Sequence, residues 1–335
     1  MLSAIRQAVE CVRRRLDPLR TRRLAVMRIL TPPNIRNKAL LRLEELEARL
    51  TPADIQVTNL ADMPVSQTPP NMVTLRSALS TAGVTSITFA PTLSGNINLY
   101  TSLPTLNGVT INNTTGNSIG VMGSFNFGLV QTAAGTTNEI DNLELMQGGG
   151  VDDGGGILNL GSLTLNGCYI SLCIANASGG AIANGPRATL TLQNTTLYQN
   201  TAEVGGGIAN ASGGVVDIYS GSAIESNSSA EGGGISNAGE LTINGAVVKY
   251  NGSSDLGGGI YSEGTVTMMN TDIEYNKATN GGGGFYLASS GSLMLTYCTL
   301  SNNTSPVGAG GAWKTGSSYI NNGGNNITDP VVQVP

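Results

Sequence analysis

A chain of 335 residues without a single histidine has few catalytic chemistries open to it. A Ser-His-Asp triad, a Cys-His pair and a histidine-bound metal all fall away. Glycoside hydrolysis needs only two carboxylates, and three near pairs exist: Asp152 with Asp153, Asp217 with Glu225, and Asp272 with Glu274. Asp272 and Glu274 flank Ile273, an apolar position read as inward, so both are expected to face solvent; Asp152 and Asp153 stand in a turn. A lyase would also need a Ca²⁺ held by carboxylates and a basic residue on the same face. Beyond residue 50 the basic residues are Arg76, Arg187, Lys249, Lys277 and Lys314. Arg187 falls in the turn "NGPRATL", away from the acids. Lys249 aligns with Glu225 and Glu274 of neighbouring units, an alternating surface charge ladder.

Two further groups repeat along the chain. Asp152, Asp153, Glu203, Glu231 and Asp255 each stand four or five residues before an apolar anchor. Like charges at one corner repel unless a cation separates them, and "GGGVDD" shares part of the calcium-binding "GGxGxD" nonapeptide without its nine-residue repetition. Calcium is the one cofactor this pattern allows, with these five acids as its ligands. Tyr250 and Tyr275 each stand two residues past an inward position in adjacent units, which places them one above the other about 4.8 Å apart. Stacked exposed tyrosines hold a sugar ring or a partner's apolar side chain. Cys11, Cys168, Cys173 and Cys298 have neither metal-ligand spacing nor a disulfide framework, and read as small buried thiols.

The elements that must position these residues follow from a repeat. The apolar residue after each glycine cluster falls at Ile157, Ile182, Ile208, Ile235, Ile260, Phe285 and Trp313, at intervals of 25 to 28 residues. Each unit continues with a small polar turn, an alternating strand such as "LTL" (Leu163–Leu165), and a further inward residue: Ile170, Leu197, Ile224, Val248, Ile273 or Leu300. Three short strands per unit, stacked on the same strands of neighbouring units, make a coil rather than a hairpin. The expected fold is an all-β, right-handed parallel β-helix, a solenoid. Asn159, Asn184, Asn210 and Asn237, and separately Asn200, Asn227, Asn251, Asn276 and Asn303, recur at fixed offsets from the anchors and are expected to form amide ladders. Cys173 occupies an asparagine slot, so the second ladder is expected to begin one coil later.

Upstream the chain changes character. Residues 1–50 hold 12 of the 17 Lys and Arg residues and carry +7, whereas the rest carries −12. Leu2, Ile5, Val9, Val12 and Leu16 share a helical face, and "NKALLRLEELEARLTP" repeats the pattern. Neither has the apolar run of an ordinary secretory signal or a membrane span. The expected organisation is a short α-helical basic leader over 1–53, a proline-bearing linker over 54–72, and the β-helix over 73–335. "VTLRSALSTAG" (Val73–Gly83) is read as a helical cap. The leader is able to contact an anionic membrane. Nucleic acid is excluded as a partner of the β-helix by its charge.

The "GGGI-x-N … LTL … N-x-T … N" unit resembles the β-helix repeats of polymorphic outer-membrane-protein and adhesin-like surface proteins. "MVTLRSALSTAGVTSITFAPTLSGNINL" (Met72–Leu99) is similar to the start of such domains, and "LRLEELEARLTPA" (Leu41–Ala53) resembles the end of a planctomycete-type export leader. The resemblance implies an exported, non-enzymatic surface rod for adhesion, recognition or envelope structure. It would be secreted or held at the cell surface, with a polysaccharide or surface protein as partner and end-to-end self-association as a further mode. The competing expectation is a polysaccharide lyase or glycoside hydrolase on the same scaffold.

Overall fold

The computed structural model describes residues 26–30, 40–44, 53–315, 319–329 and 331–334. The chain divides into two units, Met1–Thr51 and Pro52–Pro335. In the first, Val26–Leu30 and Leu40–Glu44 pair antiparallel. The second of these strands lies where helix was expected; the alternation of Leu41, Arg42, Leu43 and Glu44 fits a strand equally well. The helical face from Leu2 to Leu16 lies outside the described residues.

The second unit is an all-β parallel solenoid. Its described strands form parallel sheets of eleven, ten and nine strands, one strand per coil in each. In the coil that follows Gly205, Ile208–Asn210 joins the nine-stranded anchor face, Val215–Tyr219 the eleven-stranded long face, and Ala223–Glu225 the ten-stranded short face. A short ladder of Ser228–Glu231, Gly252–Leu256 and Lys277–Ala278 closes three coils. Alternation along each strand sends one set of side chains inward. Ile157, Ile182, Ile208, Ile235 and Ile260 are fully buried, as are Ile170, Leu197, Ile224, Val248 and Ile273.

The anchor series ends differently from its expectation. Phe285 pairs with Ala312, and Trp313 pairs with Tyr286. Ala312 is therefore the inward residue, and Trp313 faces outward. Hydrophobicity selected the larger residue, whereas the strand register selects its small neighbour, and a one-residue slip exchanges faces.

The solenoid also begins earlier than the glycine repeat suggests. Ala53–Val57 is its first strand, pairing with Val84–Phe89, so the segment read as a linker opens inside the fold. The helix spans Leu75–Leu79, shorter than expected, with Thr74 and Ser77 forming a reciprocal cap. Its Arg76 donates to both oxygens of Asp62 at 2.7 and 2.9 Å and to the carbonyls of Thr101 and Ser102. Asp62 also accepts from the Tyr100 backbone N–H. This buried pair fastens the cap to the loop at residues 100–102.

Triple glycines are required at the corner before the anchor face. Gly205 has φ +64°, where a Cβ would collide with the Ile208 carbonyl oxygen; at Gly206 and Gly207 a Cβ would meet the carbonyls of Gly233 and Gly234 in the next coil. Both amide ladders are present. Asn159, Asn184, Asn210 and Asn237 pass hydrogen bonds amide to amide at 2.7–2.8 Å, ending on the Ser262 hydroxyl. Asn200, Asn227, Asn251, Asn276 and Asn303 do the same at 2.9–3.1 Å, ending on Asp329. The Cys173 backbone N–H donates to Asn200, so this ladder begins at Asn200.

Candidate functional site

Cys168, Cys173 and Cys298 are free and buried. Burial pushes the Cys168 thiol up to about 11 and the Cys173 thiol up to about 12, so neither is a ready nucleophile. Cys173 fills an asparagine slot. The backbone N–H of Cys168 donates to the Thr195 hydroxyl, and the N–H of Thr195 to that of Ser222. These thiols thus sit in slots that neighbouring coils fill with small polar side chains. Cys11 lies outside the described residues.

The paired acids are separated by the topology. Asp217 lies on the long face between Thr191 and Thr242, and Glu225 on the short face between Tyr198 and Lys249. Asp272 and Glu274 flank the buried Ile273 and point outward as expected. Glu225, Lys249 and Glu274 stand in register, but Lys249 pairs with Glu225 at 3.2 Å while Glu274 accepts from Ser301.

The acidic stripe is staggered. Register places Asp153, Ser178, Val204, Glu231, Leu256 and Gly281 in one column, so Glu203 and Asp255 stand one residue aside. Asp152 and Asp153 are exposed, and Asp255 accepts from the Asn280 amide at 2.7 Å. Among the described residues no three acids, cysteines or histidines converge into a group able to hold a metal ion.

Tyr250 and Tyr275 do stack. Their ring centroids lie 5.2 Å apart with planes 21° from parallel, and the residues are 55% and 47% exposed. Both have left-handed backbones, φ 57° and 55°, a conformation that costs a bulky residue energy. The Lys249 ammonium lies 5.8 Å from the Tyr250 ring centroid. Two broad, solvent-facing rings beside a cation and two carboxylates can pack on a sugar's C–H face or an apolar side chain while offering hydrogen bonds around the rim.

A second aromatic column escaped sequence reading. Tyr261, Tyr286 and Trp313 face outward in register from successive strands of the anchor face. Their centroids are 5.6 and 6.5 Å apart and their planes 12° and 24° from parallel. The indole rests on Gly281 and Gly308, where an added Cβ would meet it. The signal was present in the residue after each anchor, but taking Trp313 as an anchor broke the column. The Tyr261 hydroxyl donates to Glu263 at 2.9 Å. Burial, then that bond, pushes its ionisation upward. Burial also raises the Glu231 carboxyl, followed by repulsion from Asp255, Glu263 and Glu203.

Next to this column lies a groove of about 380 Å³, floored by Ala183, Ala209 and Ser236 and walled by Val204 and Pro186. A wider polar cleft of about 550 Å³ lies between Asn117, Glu144 and Tyr169. No family model matches the chain, and no curated protein or solved structure matches it significantly.

Proposed function

We propose that this chain is an exported, non-enzymatic surface β-helix that acts in adhesion, recognition or envelope structure, as its repeats' resemblance to adhesin-like surface proteins implies. The observation that carries this reading is the Tyr250–Tyr275 stack: two exposed rings on a rigid ladder, at a corner where successive coils turn left-handed. Regular stacking makes the outer face a fixed template, and a fixed template loses little entropy on binding. Its partner is a polysaccharide or a surface protein, and the rod is secreted or held at the cell surface. End-to-end association belongs to the same reading, since parallel sheets present open strand edges at their ends.

A polysaccharide lyase or glycoside hydrolase is the second reading. It draws on the raised carboxyl of Glu231 beside Glu263. Against it, among the described residues neither Glu231 nor Glu263 has an ion pair with a basic side chain, and Lys249 is bound to Glu225 on another face.

The test is the double variant Tyr250→Ala/Tyr275→Ala. Retention of the full chain on a panel of immobilised polysaccharides and on intact cell surfaces should fall at least about tenfold, as for loss of anchoring aromatics, with the melting temperature nearly unchanged. Equal retention by a folded double variant would overturn the assignment of this face.

A further inference from the structure

The outward residue of each anchor-face strand forms one column: Leu158, Ala183, Ala209, Ser236, Tyr261, Tyr286 and Trp313. Its middle is a trough. Ala183, Ala209 and Ser236 point away from the core, yet are only 6–8% exposed, because the walls overhang them. Ser236 is 8% exposed and lines the trough, and among the described residues its side-chain hydroxyl makes no hydrogen bond. One register step along stands Tyr261. Tyr286 stacks on one side of its ring, and on the other comes Ser236, whose side chain is too short to cover it.

The electrostatics of this spot are one-sided. Glu231 is under the repulsion of Asp255, Glu263 and Glu203, and Tyr261 under that of Glu263 and Glu231. Among the described residues none of these four carboxylates has an ion pair; the two ion pairs are Arg76–Asp62 and Lys249–Glu225. The acids are also too dispersed to hold a metal ion. An occupant that neutralises them must be a cation broader than a metal. It must cover an aromatic face and bring a hydrogen-bonding group to a hydroxyl.

We infer that this groove binds an extended, arginine-bearing segment of a partner protein, with a guanidinium on the open face of Tyr261 between Glu231 and Glu263 and a donor to Ser236. A guanidinium is flat, stacks on aromatic rings, and forks two N–H groups onto one carboxylate. A lysine ammonium has the charge without the plane. The small side chains of the floor leave room for an extended backbone along the trough. The inference rests on the reading of the rod as a recognition surface but uses a different face from Tyr250 and Tyr275.

The experiment titrates the full chain with a dye-labelled peptide of alternating serine and arginine, its lysine counterpart, and a glucosamine oligomer, at about 0.15 M salt to screen long-range attraction. The arginine peptide should bind tightest. Tyr261→Ala and, separately, Glu231→Gln/Glu263→Gln should each weaken it at least about tenfold. Tyr250→Ala/Tyr275→Ala should leave it unchanged, so a failure here is distinct from a failure of the proposed adhesive face. Asp217→Asn/Glu240→Gln removes the same charge from the long face and should change affinity by less than about twofold. Equal weakening by that control pair would show bulk attraction and overturn the inference. So would an absence of arginine-peptide binding, or tighter binding of the lysine peptide or glucosamine oligomer. If Tyr261→Ala does not melt cooperatively, the glutamine pair alone decides.

Discussion

Asp141 is an acid in the wrong surroundings. It sits on the long face between Asn112 and Asn166, only 6% exposed, and its Oδ1 has no hydrogen-bond partner. Burial, then repulsion from Glu139, raises its carboxyl above the usual range, partly opposed by a bond from Asn166. A carboxyl raised in the folded state costs stability once it is ionised in both states. That cost is absent below its unfolded value, grows as pH rises through the interval, and is full above the folded value. Asp141→Asn should therefore raise the melting temperature at neutral pH, and the gain should vanish near pH 3. A gain independent of pH, seen in melts across that range, would contradict the assignment. The residue scale is also where reading from sequence stopped. Burial of Asp141 and the empty hydroxyl of Ser236 depend on what the neighbouring coil places beside them, and no local pattern encodes that.

At the scale of elements, the second amide ladder, from Asn200 to Asn303, carries the corner after the short face. Each asparagine accepts from a backbone N–H in the preceding coil and donates to a carbonyl there: Asn251 Oδ1 takes the Asn227 N–H at 2.9 Å, and its Nδ2 reaches the Ile224 carbonyl at 2.8 Å. Asn251→Ala leaves both groups buried without partners and should destabilise the fold by about 1–3 kcal/mol in denaturant melts. A change within error would mean that water replaces the amide. Both ladders were legible because their spacing from the anchors is constant and asparagine has few other reasons to recur so. The last anchor was misread because size favoured Trp313 while register favoured Ala312. The opening strand Ala53–Val57 escaped because it lacks the glycine cluster that marks later coils.

At the scale of the molecule, the parallel solenoid follows from a period of 25 to 28 residues that leaves no room for an independent core in any one unit. Every outward residue is thereby copied into a column, and function on such a scaffold is a matter of which columns depart from small and polar. Among the described residues two columns stack aromatic rings in register, Tyr250 with Tyr275 and Tyr261 with Tyr286 and Trp313. The first pair was readable from offsets alone; the second needed the true register. The proposed function is that of a rod that holds ligands without transforming them. Its most direct test is incubation of the full chain with a panel of acidic and neutral polysaccharides, assayed for chain length, new reducing ends and unsaturated products. The account predicts that every polysaccharide is recovered at its original length. Turnover of any of them, abolished by Glu231→Gln, would contradict it.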